Sequence, residues 1–326
     1  MHSDVSDTVR HMPSHPDWLD RSAYPFQRHD LVLPEGRMHY VDEGEGEPVL
    51  FVHGTPTWSF EYRALINAVR GSRRAIAPDH LGFGLSERPT GFAYTPEAHA
   101  RALEAFVDRL GLERFALVVH DFGGPIALPL ALARPERITQ LVVMNSFMWP
   151  LDADPGIVKN AAFTASELGR LLYRHANAAL HQLMPNAYFD RRRLTPEIHR
   201  QYVSVFGDGR SRERVLWKLA GSLLGSGDHY ARLWQRREAL REIPALLIWG
   251  MQDNTFTPRH LARWQRALPN ARTLEVANAG HWPHEEQPQL VAGALRCFLD
   301  SNRFYRERPL APASSVRNRK PGAATG

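Results

Sequence analysis

The sequence predicts an α/β fold: a doubly wound, mostly parallel eight-stranded sheet with a helical cap inserted between two of its strands. Three observations carry this. Short apolar, β-branched runs of strand length recur along the chain, separated by amphipathic or Ala/Leu-rich stretches of helix length. Several runs are apolar throughout, as strands buried on both faces must be, and such strands belong to parallel sheets covered by helices. Between residues 149 and 229 the strand-like runs stop and helical ones replace them. The expected organisation is an N-terminal extension (1–24), a core (25–148 and 230–301), the cap (149–229) and a basic tail (302–326).

With 326 residues, 43% of them hydrophobic, the chain can bury a full core. Its net charge of +5 sits entirely in residues 301–326, where Arg303, Arg306, Arg308, Arg317, Arg319 and Lys320 face one acid, Glu307. The remainder is about neutral, which argues against a nucleic-acid partner, and the tail reads as disordered. The single cysteine, Cys297, excludes an internal disulfide and a CxxC metal site. No run approaches the ~20 apolar residues of a membrane helix, and no apolar signal region opens the chain. The expectation is a cytoplasmic protein.

Taken in order, residues 27–33 and 38–41 read as an antiparallel edge joined by Pro34-Glu35-Gly36. Residues 48–52, PVLFV, form the first fully apolar strand and run into His53-Gly54-Thr55-Pro56. Such a turn leaves backbone N–H groups free to face a developing negative charge. A helix over 58–70, a strand over 75–77 and a Gly-rich loop over 78–86 follow. No GxGxxG succeeds a strand, so no dinucleotide is implied, nor any other cofactor or metal. Residues 96–110 form an amphipathic helix with Thr95 as its N-cap.

The strand over 114–120 ends in His120-Asp121-Phe122-Gly123-Gly124, before a helix rich in Ala and Leu. Two glycines remove the Cβ atoms that would block a sharp strand-to-helix turn, and Pro125 suits a helix's first turn. The turn presents Asp121 beside free N–H groups that favour negative charge. A plain helix-capping role for Asp121 is the competing explanation.

Residues 138–144 are the next strand. Cap helices are expected over 164–182, 196–205 and 211–224, broken at Pro185, Gly207-Asp208-Gly209 and Gly225-Ser226-Gly227. Such a cap, lying over the strand ends, excludes water. The sheet resumes with a strand over 245–249, running into Gly250-Met251-Gln252-Asp253, and a helix over 258–268. The last strand, 272–276, leads to Asn278-Ala279-Gly280-His281-Trp282-Pro283 and a helix over 287–299. Asp121, Asp253 and His281 thus follow three apolar strands in the chain order nucleophile, acid, base.

Together HGTPTWSFEYR, PDHLGFGLSERP, VVHDFGGP, WGMQD and NAGHWPHEEQP resemble the haloalkane dehalogenase and epoxide hydrolase branch of the α/β-hydrolases, over roughly residues 17–300. The resemblance implies that Asp121 attacks an sp³ carbon and becomes an ester, which needs no base. His281 then activates water against that ester and Asp253 orients the imidazole. Some relatives carry a Glu after the preceding strand, where this chain has Asn145, so Asp253 is the acid. The N–H groups of Thr55 and Phe122 would hold the oxyanion, with His53 in the same turn.

The resemblance also implies a small apolar substrate, water as co-substrate and cleavage of a carbon–halogen bond. Phe122 and Thr55 depart from it, standing where dehalogenases usually carry Trp and often Asn as halide donors; Trp149 is a candidate substitute. An epoxide hydrolase would need two cap tyrosines, drawn from Tyr173, Tyr188, Tyr202 and Tyr230. The β-lactone decarboxylases of bacterial olefin biosynthesis, whose leaving group is a carboxylate, fit the departures. A reading of another class, a non-catalytic binder on a hydrolase scaffold, has no use for a base aligned with a nucleophile.

Overall fold

The computed structural model describes residues 15–306, with side chains through residue 301, so the expected tail lies outside the described residues apart from the end of the last helix. Eight strands form one sheet: β1 (His29–Leu33), β2 (Gly36–Glu43), β3 (Pro48–Val52), β4 (Arg74–Pro78), β5 (Phe115–Asp121), β6 (Ile138–Ser146), β7 (Ala245–Gly250) and β8 (Arg272–Val276). Their spatial order is β1-β2-β4-β3-β5-β6-β7-β8. β2 pairs antiparallel with β1 and β4, and every other pairing is parallel.

β5 is buried along its whole length and β3 along nearly all of it, which explains their unbroken apolar runs. From β3 the chain steps to β4 on one side and then returns to β5 on the other. The carboxyl ends of β3 and β5 therefore flank the point where strand order reverses, the place where open α/β sheets bind ligands.

Of the expected N-terminal extension, residues 15–24 are described and pack on the core, and residues 1–14 lie outside the described residues. Leu19 and Tyr24 are buried, Tyr24 packs against Trp58 and Phe60, and its hydroxyl bonds with Ser59 Oγ at 2.6 Å. An aromatic surface presented by the helix-bearing turn after β3 gives this segment a place to bury.

Between β6 and β7 the described chain is helical. The expected helix over 164–182 is divided in two places. Ser166 caps a new helix (Glu167–Ala176) by accepting from Gly169 N, and Asn177 ends it in the left-handed conformation at φ 48°. Helix Gly227–Gln235 packs on the helix that follows β5, with His229 Nε2 3.0 Å from Pro125 O and Arg236 donating to Leu132 O.

Candidate active site

Asp121 ends β5 with φ at +51°, a conformation that costs a non-glycine residue about 1–3 kcal/mol unless its surroundings hold it. They do. Ser146 Oγ donates to the Asp121 carbonyl at 2.6 Å, and close packing at the two residues after Phe122 permits only glycine. A Cβ on Gly123 would stand 2.1 Å from Val52 O, and one on Gly124 2.1 Å from Ser146 Oγ. The glycine before Thr55 serves the carboxylate: a Cβ on Gly54 would meet Asp121 Oδ1 at 2.3 Å. That close approach lets Thr55 N–H donate to Asp121 Oδ1 at 2.9 Å.

His281 lies in the loop after β8. Its Nε2 is 3.5 Å from Asp121 Oδ2 and its Nδ1 2.8 Å from Asp253 Oδ2. Burial opposes charging this imidazole, but Asp253 foremost and Asp121 with it outweigh burial and raise its pKa to about 10. Burial likewise opposes ionising Asp253. The His281 charge and hydrogen bond, with Thr255 N–H and Asn145 Nδ2 donating, prevail and hold its carboxyl below the usual range. Three buried side chains thus alternate in charge, each satisfied by its neighbour.

Asn145 does more than stand where another acid could be. Its Oδ1 accepts from Gly250 N at 2.8 Å while Nδ2 donates to Asp253 Oδ2 at 2.8 Å, tying the ends of β6 and β7 together beneath the acid. Its place at the end of an apolar strand was the one available signal. The backbone of His281 is held as well: its N–H donates to Ala187 O at 2.9 Å, and Glu286 accepts from both Gly280 N and Asp190 N. No sequence signal marks a backbone carbonyl such as that of Ala187.

Asp121 and His281 open into a cavity of about 580 Å³. Thr55, Phe122 and Trp282 share its floor, and Ile157, Phe163, Tyr173, Ala179, Leu183, Met184 and Leu223 its largely apolar walls. Two candidates do not belong to it. His53 turns back into the core, its Nδ1 2.7 Å from Gly54 O and its Nε2 accepting from His80 N, because the tight turn needs those bonds. Trp149 packs against Trp234, Trp264 and His260, away from the residues that line the cavity. Of the four tyrosines, Tyr173 lines the cavity, whereas Tyr188 stacks on Trp282, Tyr202 bonds with Glu285 and Tyr230 donates to Ser222 O.

Residues 47–288 match the α/β-hydrolase fold family. The chain is 36% identical over 278 residues to haloalkane dehalogenase 2 of Mycobacterium tuberculosis, covering 85% of this chain and 96% of that one. It is 34% identical over 300 residues to the cis-3-alkyl-4-alkyloxetan-2-one decarboxylase of Shewanella oneidensis, covering 90% and 94%. Among solved structures, a putative ancestral haloalkane dehalogenase superimposes with a TM-score of 0.76 at 26% identity, covering 85% of this chain and 99% of that one.

Proposed function

Because the chain belongs to the α/β-hydrolase family, in its haloalkane dehalogenase-like branch, and is an α/β-hydrolase enzyme, we propose that it cleaves the carbon–halogen bond of small apolar substrates through an ester on Asp121. One observation carries the reading. At the floor of an apolar cavity, Asp121 has one oxygen held by Thr55 N–H and the other 3.5 Å from an imidazole whose far nitrogen is anchored on a second carboxylate.

In the first step an Asp121 oxygen bonds to the substrate carbon as the carbon–halogen bond breaks, and halide leaves with the electron pair. The ester is neutral, so one of the two charges that raise the His281 pKa is gone. The imidazole then releases its proton to solvent and becomes a base. It takes a proton from water, hydroxide adds to the Asp121 carbonyl carbon, and the N–H groups of Thr55 and Phe122 receive the oxyanion. Collapse expels the alkoxide, which leaves as alcohol, and restores Asp121. Water is the co-substrate and a cytoplasmic setting is part of the proposal.

A second reading is favoured by Phe122. Beside Asp121 in the cavity floor, its side chain has no donor for a departing halide, worth about 1.5–3 kcal/mol where one is present. A β-lactone supplies its own stabilised leaving group. Asp121 would attack the ring carbon bearing the ring oxygen and free a carboxylate. Loss of carbon dioxide would then form the alkene and release Asp121 without consuming water. Incubation of the protein with 1-bromohexane and with a cis-dialkyl β-lactone separates the two: bromide release supports the first, carbon dioxide and alkene the second. Turnover of neither would sink both.

A further inference from the structure

Behind the Asp121–His281 pair lies a second set of ionisable side chains with no part in the chemistry above. Glu61 is on the short turn Ser59–Tyr62 after β3, His120 precedes Asp121 on β5, and His284 is in the turn Pro283–Glu286. None of the three is more than 1% exposed. His120 Nε2 is 2.8 Å from the backbone carbonyl oxygen of His281, and its ring packs on the His281 ring with centroids 4.8 Å apart. Its other nitrogen, Nδ1, lies 3.3 Å from Glu61 Oε1. His284 approaches the same oxygen at 3.9 Å.

Both ring nitrogens of His120 therefore lie close to oxygens, Nε2 at hydrogen-bonding distance from a carbonyl and Nδ1 at ion-pair distance from a carboxylate, outside hydrogen-bond geometry. Burial opposes a charge on Glu61, but His120 first, then His284 and His53, outweigh it and lower its pKa to about 2. A buried carboxylate of this kind needs a compensating cation within reach. Burial pushes His284 down to about 3, with His120, Arg63 and His281 adding to that and Glu61 opposing it, so His284 is neutral near pH 7 and does not offset the Glu61 charge.

We propose that Glu61 and His120 form a second carboxylate–imidazolium pair, which clamps the carbonyl of His281 and sets the angle at which that base meets the Asp121 ester. Glu61 and His120 are positioning residues, acting through His281. The base is then held at three points: Nδ1 by Asp253, N–H by Ala187 and C=O by His120. A charge-assisted donor makes the third hold strong, and small misplacements of a base are costly. Since alkylation of Asp121 needs no base, the pair governs only the second step. The inference rests on Asp121 as nucleophile and His281 as base.

The test uses Glu61→Gln in the full chain with 1-bromohexane, quenched and followed by intact mass. The ester should form within about twofold of the wild-type rate and decay roughly ten- to hundredfold more slowly, so that kcat falls while kcat/KM holds. A merely destabilised enzyme would lose both. Ester decay at the wild-type rate overturns the proposal. His281→Ala that accumulates no ester brings down instead the reading on which it rests. Nitrogen NMR of the wild-type imidazoles decides without any substrate, should Glu61→Gln not fold. Two protonated nitrogens on His120 near pH 7 support the pair; one bare nitrogen, or a stoichiometric divalent ion in the purified protein, overturns it.

Discussion

Thr55, Asp121, Asp253 and His281 stand at or just past the ends of strands, whereas Ile157, Phe163, Tyr173, Leu183 and Leu223 belong to helical segments that close over them. The first group is over-determined. Asp121 is pinned by Thr55 N–H and through its own carbonyl, its turn excludes any Cβ at three neighbouring glycines, and His281 is bonded on both sides. The second group is fixed by apolar packing, and two of its members, Phe163 and Leu183, are about half exposed at 53% and 50%. Chemistry that tolerates little misplacement is built on the sheet, and selection of the substrate's shape is left to helices that can vary.

Substitutions on either side sharpen the contrast, and the largest effect belongs to the floor. Asp121→Ala removes the oxygens that the proposed chemistry alkylates and should cut turnover by about 10³-fold or more, measured as product release at saturating substrate. Retained turnover would place the chemistry elsewhere. Asp253→Asn comes next, at about 10²- to 10⁴-fold in kcat. It removes the foremost of the charges that raise His281 to about 10, so the imidazole should titrate at lower pH, visible in the ring's NMR shifts.

The walls should respond differently. Phe163→Ala and Leu183→Ala should move KM and chain-length preference by about tenfold or less and kcat by less than that, read across a series of 1-bromoalkanes. A collapse of kcat would erase the distinction between floor and walls.

The smallest effect on activity is expected from His99, buried beside His80, Phe83, Phe92 and Tyr94. Burial foremost, with His53 adding, pushes its pKa down from 6.5 to about 3. Its neutral form is the one the fold accommodates. The stability this represents is present above pH 6.5 and is lost as pH falls towards 3, where the unfolded chain gains a proton that the folded one refuses. Glu61 acts in the same direction between 4.5 and about 2. His99→Leu should narrow the drop in Tm between pH 7 and pH 5 and leave kcat unchanged.

The floor was legible in the sequence because its signals are local. A largely apolar run that stops short of Gly-Gly, as FALVV does before His120-Asp121-Phe122-Gly123-Gly124, marks a strand end, and the residue at that end is readable from the string. What a side chain does once there is not local. His53 stands beside Thr55 in sequence yet faces His80, and Trp149 follows β6 by three residues yet joins an aromatic cluster on another side. The bond from Asn145 to Asp253 spans 108 residues and exists only because β6 and β7 are neighbours. Between β6 and β7, composition predicts helix and the glycine-marked breaks at Gly207-Asp208-Gly209 and Gly225-Ser226-Gly227, but not those at Ser166 and Asn177, which hang on single residues such as the Ser166 cap.

The carboxylate of Asp121 can be asked directly which oxygen it ends with. A single turnover of a bromoalkane in ¹⁸O-water should leave the heavy oxygen in the peptide that carries Asp121 and deliver an alcohol of ordinary mass, since the alkyl group departs with the oxygen it first bonded. Heavy alcohol with an unlabelled Asp121 would mean that water attacks the substrate directly, and would contradict the account.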